Sequence, residues 1–209
     1  MSEAKILVLG AESVGKTAIT VRFLTRRFIG EYESSIDHLY KQTVAFNEAH
    51  VNIEVLDTCT KLDFVRKRED HMRWADGMIL VYSVCNRETF DSLDQQIKRA
   101  QSAKAPSSIS IAVVANKIDL DQNCHEVNSE EGHDLAEEYG CHFFEVSAAE
   151  NWESVWRAFS AVVKDVDEEK KHREQIRRRK SSVTKNVANK VRQAMFGSPM
   201  RRRRKISVP

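Results

Sequence analysis

The run Lys5-Ile6-Leu7-Val8-Leu9, followed at once by Gly10-Ala11-Glu12-Ser13-Val14-Gly15-Lys16-Thr17, leaves this chain few architectures. The first segment has strand length. The second fits G-x-x-x-x-G-K-[ST], a loop in which glycines let backbone N–H groups close on phosphate oxygens. Thr17 to Arg26 then reads as a helix whose apolar stripe is Ile19, Phe23 and Leu24. A strand, a glycine loop and a helix in that order place the loop at a helix N-terminus, where unpaired N–H groups and the positive end of the helix dipole favour an anion. In such a loop Lys16 reaches the β- and γ-phosphates of a nucleotide, and the Thr17 hydroxyl is offered to Mg²⁺.

A second motif says which base. Asn116-Lys117-Ile118-Asp119 stands just past the apolar run Ile109-Ser110-Ile111-Ala112-Val113-Val114-Ala115. Ionised Asp119 only accepts, so it takes both N–H protons of the guanine edge, and adenine offers no matching pair. A site built on such bonds rejects the wrong base by roughly 10⁴-fold or more. Gly-Lys-Thr also occurs in ordinary turns, and Asn-Lys-x-Asp also occurs by chance. The two motifs together, each at a strand end, point to GTP and GDP.

With these residues in view, the chain resembles the Ras-like small GTPases over about residues 4 to 165. Asp57-Thr58 ends the strand Val51 to Leu56 where that family keeps an aspartate acting on Mg²⁺ through water. Ser147-Ala148 follows Phe143-Phe144-Glu145-Val146 where the family closes over the base. Phe28 stands where an aromatic meets the purine, and Ser35 where a switch-one threonine binds Mg²⁺. The stretches Phe23 to Tyr32 and His71 to Gly77 most resemble the branch containing the Ras-related estrogen-regulated growth inhibitor and Ras-like protein family member 11. The resemblance implies a P-loop NTPase of α/β class, a three-layer sandwich on a mostly parallel six-stranded sheet with one antiparallel edge strand. It implies a nucleotide site of Gly10 to Thr17, Phe28, Asp57, Thr60, Asn116, Lys117, Asp119, Ser147 and Ala148, with Thr17, Ser35 and Asp57 toward the metal. Effectors and regulators are expected at residues 28–40 and 58–74 of a monomeric switch.

The departures from the family pattern concern hydrolysis. Where active members have aspartate, threonine, alanine, glycine and a water-orienting glutamine, this chain has Asp57-Thr58-Cys59-Thr60-Lys61. Losing the amide should slow a reaction catalysed mainly by positioning and electrostatics. Thr60 replaces a glycine with a stiffer β-branched residue, and Glu12 crowds the space an arginine finger would enter. Lys16 and Lys61 are thus the candidate catalytic cations of a slow enzyme. The alternative is a nucleotide-holding module that does not cycle. Glu12 and Lys61 either pair near the γ-phosphate, attracting by up to about 4 kcal/mol at 4 Å before desolvation, or both face solvent. Ser35 keeps a hydroxyl for Mg²⁺ without the methyl that restricts χ1, so switch one should be more mobile than in the strongest binders.

Charge divides the chain in two. The net charge of +2 hides 15 Lys/Arg against the single acid Glu174 in residues 170–209, and 18 against 30 in residues 1–169. We expect a nucleotide-binding domain over 1–165 and, over 166–209, a basic helical extension with a disordered tail. In that extension Val183, Val187, Val191 and Met195 recur every four residues, as in an interfacial or partner-binding helix. Arg201-Arg202-Arg203-Arg204-Lys205 suits nuclear import, nucleic-acid phosphates, an anionic membrane or plain solubility. No cysteine follows Cys141 and residue 2 is serine, so no prenyl, palmitoyl or myristoyl anchor is expected. Four cysteines without framework spacing, no leader and no apolar run of about 18 residues suggest an intracellular protein, cytoplasmic or nuclear.

The remaining chain alternates strands and helices. Tyr40 to Phe46 and Val51 to Leu56 should form a hairpin about Asn47-Glu48-Ala49-His50. A helical stretch to about Trp74, the strand Met78 to Val84 and a helix around Thr89 to Ala103 follow, and Asn128 and Glu131 form a capping box for a helix that Gly140 ends. Trp152, Trp156, Phe159 and Val163 have helical spacing and should face the core. Cys124-His125 and Cys141-His142 match no common zinc spacing. His71 to Trp74 should pack the end of the second helix and carry no chemistry.

Overall fold

The apolar run Ile6 to Leu9 forms the inner part of the first strand. In the computed structural model, which describes residues 2–29, 36–46, 49–59 and 65–196, β1 spans Ser2–Gly10 and lies at the middle of a six-stranded sheet. The order is β2-β3-β1-β4-β5-β6, with β2 (His38–Phe46), β3 (Ala49–Asp57), β4 (Gly77–Ser83), β5 (Ser110–Asn116) and β6 (His142–Val146). All pairs are parallel except β2 with β3. The antiparallel strand is therefore the edge strand, as expected.

Alternation along β1 builds two cores at once, because successive side chains of a strand leave opposite faces. Ile6 and Val8 join a cluster with Ile19 and Phe23 of α1 (Lys16–Thr25) and with Val155, Phe159 and Val162 of α6 (Trp152–Phe196). Leu7 and Leu9 join another with Met72 of α2 (Val65–Trp74), Leu93 and Ile97 of α4 (Leu93–Lys104) and Ala136 of α5 (Ser129–Glu138). Helices on both faces complete the three-layer sandwich. β4 and β5 are buried on both sides, so β4 reads as a nearly unbroken apolar run.

Three local expectations change. Phe46 pairs with Ala49, so Ala49 and His50 belong to β3 instead of the turn, and Asn47 and Glu48 lie outside the described residues. The helix expected around Thr89 to Ala103 is two, α3 (Arg87–Asp91) and α4, divided at Ser92. The Ser92 hydroxyl donates back to the Thr89 carbonyl at 2.9 Å, a local bond that competes with helix continuation. Trp152 and Trp156 are half-buried, whereas Phe159 and Val163 are fully in the core.

Other local signals hold. The Asn128 side chain accepts the Glu131 N–H at 2.9 Å while Glu131 Oε2 accepts the Asn128 N–H at 3.1 Å, and Gly140 takes φ 63 past the end of α5. Met72 is buried and Trp74 packs against the α2 side of the core. By its contacts the chain divides into two compact units, Met1–Glu168 and Glu169–Pro209. Within the second, Arg173 pairs with Glu169 at 2.5 Å and Arg178 with Glu174 at 2.6 Å, each one helical turn apart. The helix continues to Phe196 through the valine repeat, and residues 197–209 with the terminal arginine cluster lie outside the described residues. No helix among the described residues is long and apolar enough to cross a membrane.

Phe159 stacks on Phe23 with ring centroids 4.1 Å apart and is fully buried. Phe159→Ala should lower unfolding free energy by about 3–5 kcal/mol, the range for a deleted core aromatic. Urea unfolding checks it, and a loss under about 1 kcal/mol would mean that the α1–α6 contact collapses to fill the space.

Candidate functional site

The carboxyl ends of β1, β3 and β5 converge on one cavity of about 410 Å³. Glu12, Ser13, Gly15, Lys16 and Thr17 enter it from the first loop, Asp57 from the end of β3, and Asn116, Lys117 and Asp119 from the end of β5. Phe28 and Ala148 complete this set. Residues far apart in the chain thus share one space, at the sheet end where open α/β folds bind ligands.

The loop is shaped by conformations that side chains resist. Gly10 has φ 151, and a Cβ there would lie 2.2 Å from the Val81 carbonyl oxygen; Gly15 has φ 95, and its Cβ would meet Asn116 Nδ2 at 2.4 Å. Both positions require glycine for sterics as well as for backbone freedom. Ala11 and Val14 do not line the cavity but fix the loop: the Ala11 carbonyl accepts from Lys16 Nζ at 2.7 Å, and the Val14 carbonyl from Asn116 Nδ2 at 2.8 Å. Ser147 is buried, its hydroxyl accepting the Glu150 N–H at 3.0 Å.

A lysine and an aspartate, Lys16 and Asp57, are buried beside the first loop of this cavity. Burial lowers the Lys16 pKa against the attraction of Asp57, and burial raises that of Asp57 against the hydrogen bond it accepts from Thr17. Thr17 Oγ1 donates to Asp57 Oδ2 at 2.6 Å. Asp57 Oδ1 is buried and has no hydrogen-bond partner among the described residues. A hydroxyl and a carboxylate with an unused oxygen form a hard-oxygen donor set of the kind Mg²⁺ accepts alongside phosphate and water. The residues present therefore fit that ion.

Asn116 ties three segments together. Its Oδ1 accepts the Ala148 N–H at 3.2 Å, its Nδ2 holds Val14, and its own carbonyl accepts the Val84 N–H at 3.1 Å. Lys117 follows in the left-handed region with φ 71, turning the chain so that Asp119 lines the cavity.

Ser35, Thr60 and Lys61 lie outside the described residues. Glu12 is exposed while it lines the cavity. Several lining residues carry no motif, among them Ile29, Ile36, Leu120 and Ala149. Thr58 and Cys59 also line it; the Thr58 hydroxyl donates to the Val8 carbonyl at 2.8 Å, and the Cys59 N–H to Asp37 Oδ1 at 2.7 Å. Asp37, 3.9 Å from His71 Nε2, thereby joins the start of β2 to the end of β3 and to α2, which gives His71 a contact the sequence did not suggest. The Cys-His pairs are apart from this site: Cys124 is exposed, and His142 pairs with Asp165 at 2.7 Å.

Residues 5–168 match the model of the Ras family. The chain belongs to the Ras family. It is 34% identical over 191 residues to the human Ras-related and estrogen-regulated growth inhibitor, covering 91% of this chain and 95% of that protein. It is 39% identical over 176 residues to the Ras-related and estrogen-regulated growth inhibitor-like protein of Bos taurus, covering 79% and 84%. Ras-like protein family member 11B of Xenopus laevis is 35% identical over 185 residues, covering 86% of this chain and 74% of the relative. This Ras-family chain is thus a small GTPase of a family that binds GTP and GDP and meets effectors and regulators.

Replacing Asn116 with alanine would leave the Val14 carbonyl and the Ala148 N–H without their buried partner. Each such group costs about 1–3 kcal/mol. We expect Asn116→Ala to lower the urea midpoint accordingly even without nucleotide, and an unchanged midpoint would show that the bridge is not a folding contact.

Proposed function

We propose that this chain is a guanine-nucleotide switch that binds GTP and GDP with Mg²⁺ and hydrolyses GTP slowly. What supports the reading is the gathering of the Gly10–Thr17 loop, Asp57 and Asn116-Lys117-Asp119 around one cavity. In this reading residues 1–165 form the nucleotide-binding domain, with effectors and regulators at 28–40 and 58–74. The basic extension over 166–209 meets an anionic partner, nucleic acid or a lipid surface. A monomer inside the cell, in cytoplasm or nucleus, is the form proposed.

The N–H groups of residues 13 to 17 and the α1 dipole would hold phosphate oxygens. Lys16, buried and already turned into the loop, would pair with the β- and γ-phosphates, whose charge compensates its lost hydration. Thr17, Ser35 and Asp57 would hold the metal, Thr17 and Ser35 directly and Asp57 through water. Mg²⁺, when bound, neutralises negative charge shared between the phosphates. Asp119 would accept two guanine N–H groups, Phe28 would lie on the ring, and the Ser147-Ala148 loop would close over it.

The hydrolytic step depends on residues that differ from the family pattern. Lysine has three donors and no acceptor, so Lys61 cannot receive a hydrogen bond from water as a glutamine carbonyl does. Thr60 restricts the backbone that would bring its N–H to the γ-phosphate, and Glu12 occupies the approach for an arginine supplied by a partner. These substitutions also favour a second reading, a module that holds nucleotide and does not cycle.

In competition titrations GTP and GDP should exceed ATP by roughly 10⁴-fold, and Asp119→Asn should weaken guanine and admit xanthine, whose C2 carbonyl suits an amide donor. ATP binding equal to GTP would end the base-reading argument.

Single-turnover hydrolysis should run on the order of 10²-fold below glutamine-bearing relatives. Lys61→Gln alone should recover part of the rate, and Thr60→Gly with Lys61→Gln more than the sum of the two single changes. A fast wild-type rate would imply that Lys61 supplies transition-state charge itself. No turnover in wild type or in either variant would favour the non-cycling module.

A further inference from the structure

The end of α1 is fastened to the loop before α6 by a single side chain. Arg22 Nη1 donates to the Arg26 carbonyl at 3.1 Å, and Arg22 Nη2 donates to the Ala149 carbonyl at 3.2 Å. The Arg22 Nε is buried and has no hydrogen-bond partner among the described residues. Arg26 ends the helix in the left-handed region with φ 61, its N–H returning to the Arg22 carbonyl at 2.9 Å. A long side chain seldom adopts that conformation, and strained positions that persist mark places where the surroundings over-determine the backbone. Here the surroundings are visible: the Arg26 guanidinium lies 4.2 Å from the centre of the Trp152 ring. Trp152 in turn meets Trp156 at 5.3 Å, and Trp156 meets Phe23 at 5.5 Å, so the stack is rooted in the core.

The position of this fastening is what gives it a consequence. Phe28 and Ile29 come just after Arg26, and Ala148 and Ala149 come just before Trp152; all four line the nucleotide cavity. The segment carrying Phe28 and the loop carrying Ala148 are therefore joined through one planar guanidinium. They cannot part through this bridge without breaking one of its two charge-assisted hydrogen bonds, which a planar fork holds in a fixed relation. Neither arginine lines the cavity.

We propose that Arg22, backed by the Arg26–Trp152 stack, is a positioning residue that sets how slowly a guanine nucleotide leaves this protein; the proposal rests on the guanine-nucleotide reading above. In this proposal the latch re-forms behind a bound nucleotide, so its loss is read in the dissociation rate, with association little changed.

The test is release of a fluorescent GDP analogue from the full chain into excess GTP, paired with its association rate, in wild type, Arg22→Met, Arg22→Lys, Arg26→Gly and Trp152→Leu. Methionine keeps an unbranched stem without donors, and glycine tolerates the left-handed turn while removing the stack. Arg22→Met should accelerate release about tenfold, the worth of a lost charge-assisted bond, with association within about twofold of wild type. Arg22→Lys, a point donor able to serve one carbonyl, should fall between, and Arg26→Gly and Trp152→Leu should each speed release. Thermal unfolding identifies which variants fold, and if Arg22→Met does not, the other three decide. Release within about twofold of wild type in the folded variants overturns the latch, as does an association rate that falls as far as release rises. Failure of the underlying reading looks different: wild type itself would not retain the GDP analogue, or ATP would displace it as well as GTP does.

Discussion

The amide of Asn116 is the contact on which the arrangement of the site depends. It is buried at the end of β5 and uses both ends of its side chain, donating to the Val14 carbonyl and accepting from the Ala148 N–H. One planar group thereby fixes the distance between the phosphate loop and the loop proposed to close over the base. Gly15 leaves room for it, since any Cβ there would collide with the same nitrogen. The glycine that the phosphate loop needs and the asparagine of the base motif are thus one steric unit, which is a physical reason for finding both motifs in one chain. An isolated copy of either would have lacked its counterpart.

Burial of Lys16 and Asp57 shows that the cavity is not arranged for its own stability. Each is held away from water, and the direction of each pKa shift says that burial penalises the charged form more than the neighbours restore it. Buried charges that are incompletely compensated are costly in a folded chain. For Asp57, whose folded pKa is raised above its ordinary carboxylate value, this cost appears as pH rises from near 4 through the folded pKa and persists above it. For Lys16, whose folded pKa is lowered, it is largest below that pKa and fades as pH approaches the ordinary lysine value. At neutral pH the two therefore act together. A bound phosphate and divalent cation would supply compensation for both groups and so stabilise the folded chain when bound.

What could be read from the sequence was local in origin. Strand runs, the glycine loop, the capping box of Asn128 and Glu131 and the stop at Gly140 each depend on residues within a few positions of one another. The three-layer sandwich follows because two-sided burial makes β4 and β5 continuous apolar runs. The break at Ser92 was not legible, because a serine hydroxyl bonding back to Thr89 leaves no trace in hydrophobic period. Nor was the hairpin register, which cross-strand pairing sets at Phe46 and Ala49. Asp37 with the Cys59 N–H and Arg22 with the Ala149 carbonyl were equally hidden. The second pair spans 127 residues and joins a side chain to a backbone group, so the identity of residue 149 carries no signal of the contact.

The proposed binding and turnover groups lie only partly in the same place. The groups proposed to bind sit on strand ends and on the first turn of α1, and their positions are fixed by hydrogen bonds to backbone and by sterics that tolerate no side chain. Of the groups proposed to catalyse, Lys16 belongs to that first set, whereas Lys61, with Thr60 beside it, follows the end of β3, where the chain departs from the family pattern. These positions are separate in the chain from Asn116 and Thr17, whose bridges hold the first set. On the proposed reading, a small GTPase that loses hydrolytic rate with its nucleotide cradle intact would have the lifetime of each state set by the rate at which nucleotide leaves. The contacts that join α1 to the loop before α6 would then bear more on that lifetime than the residues after β3.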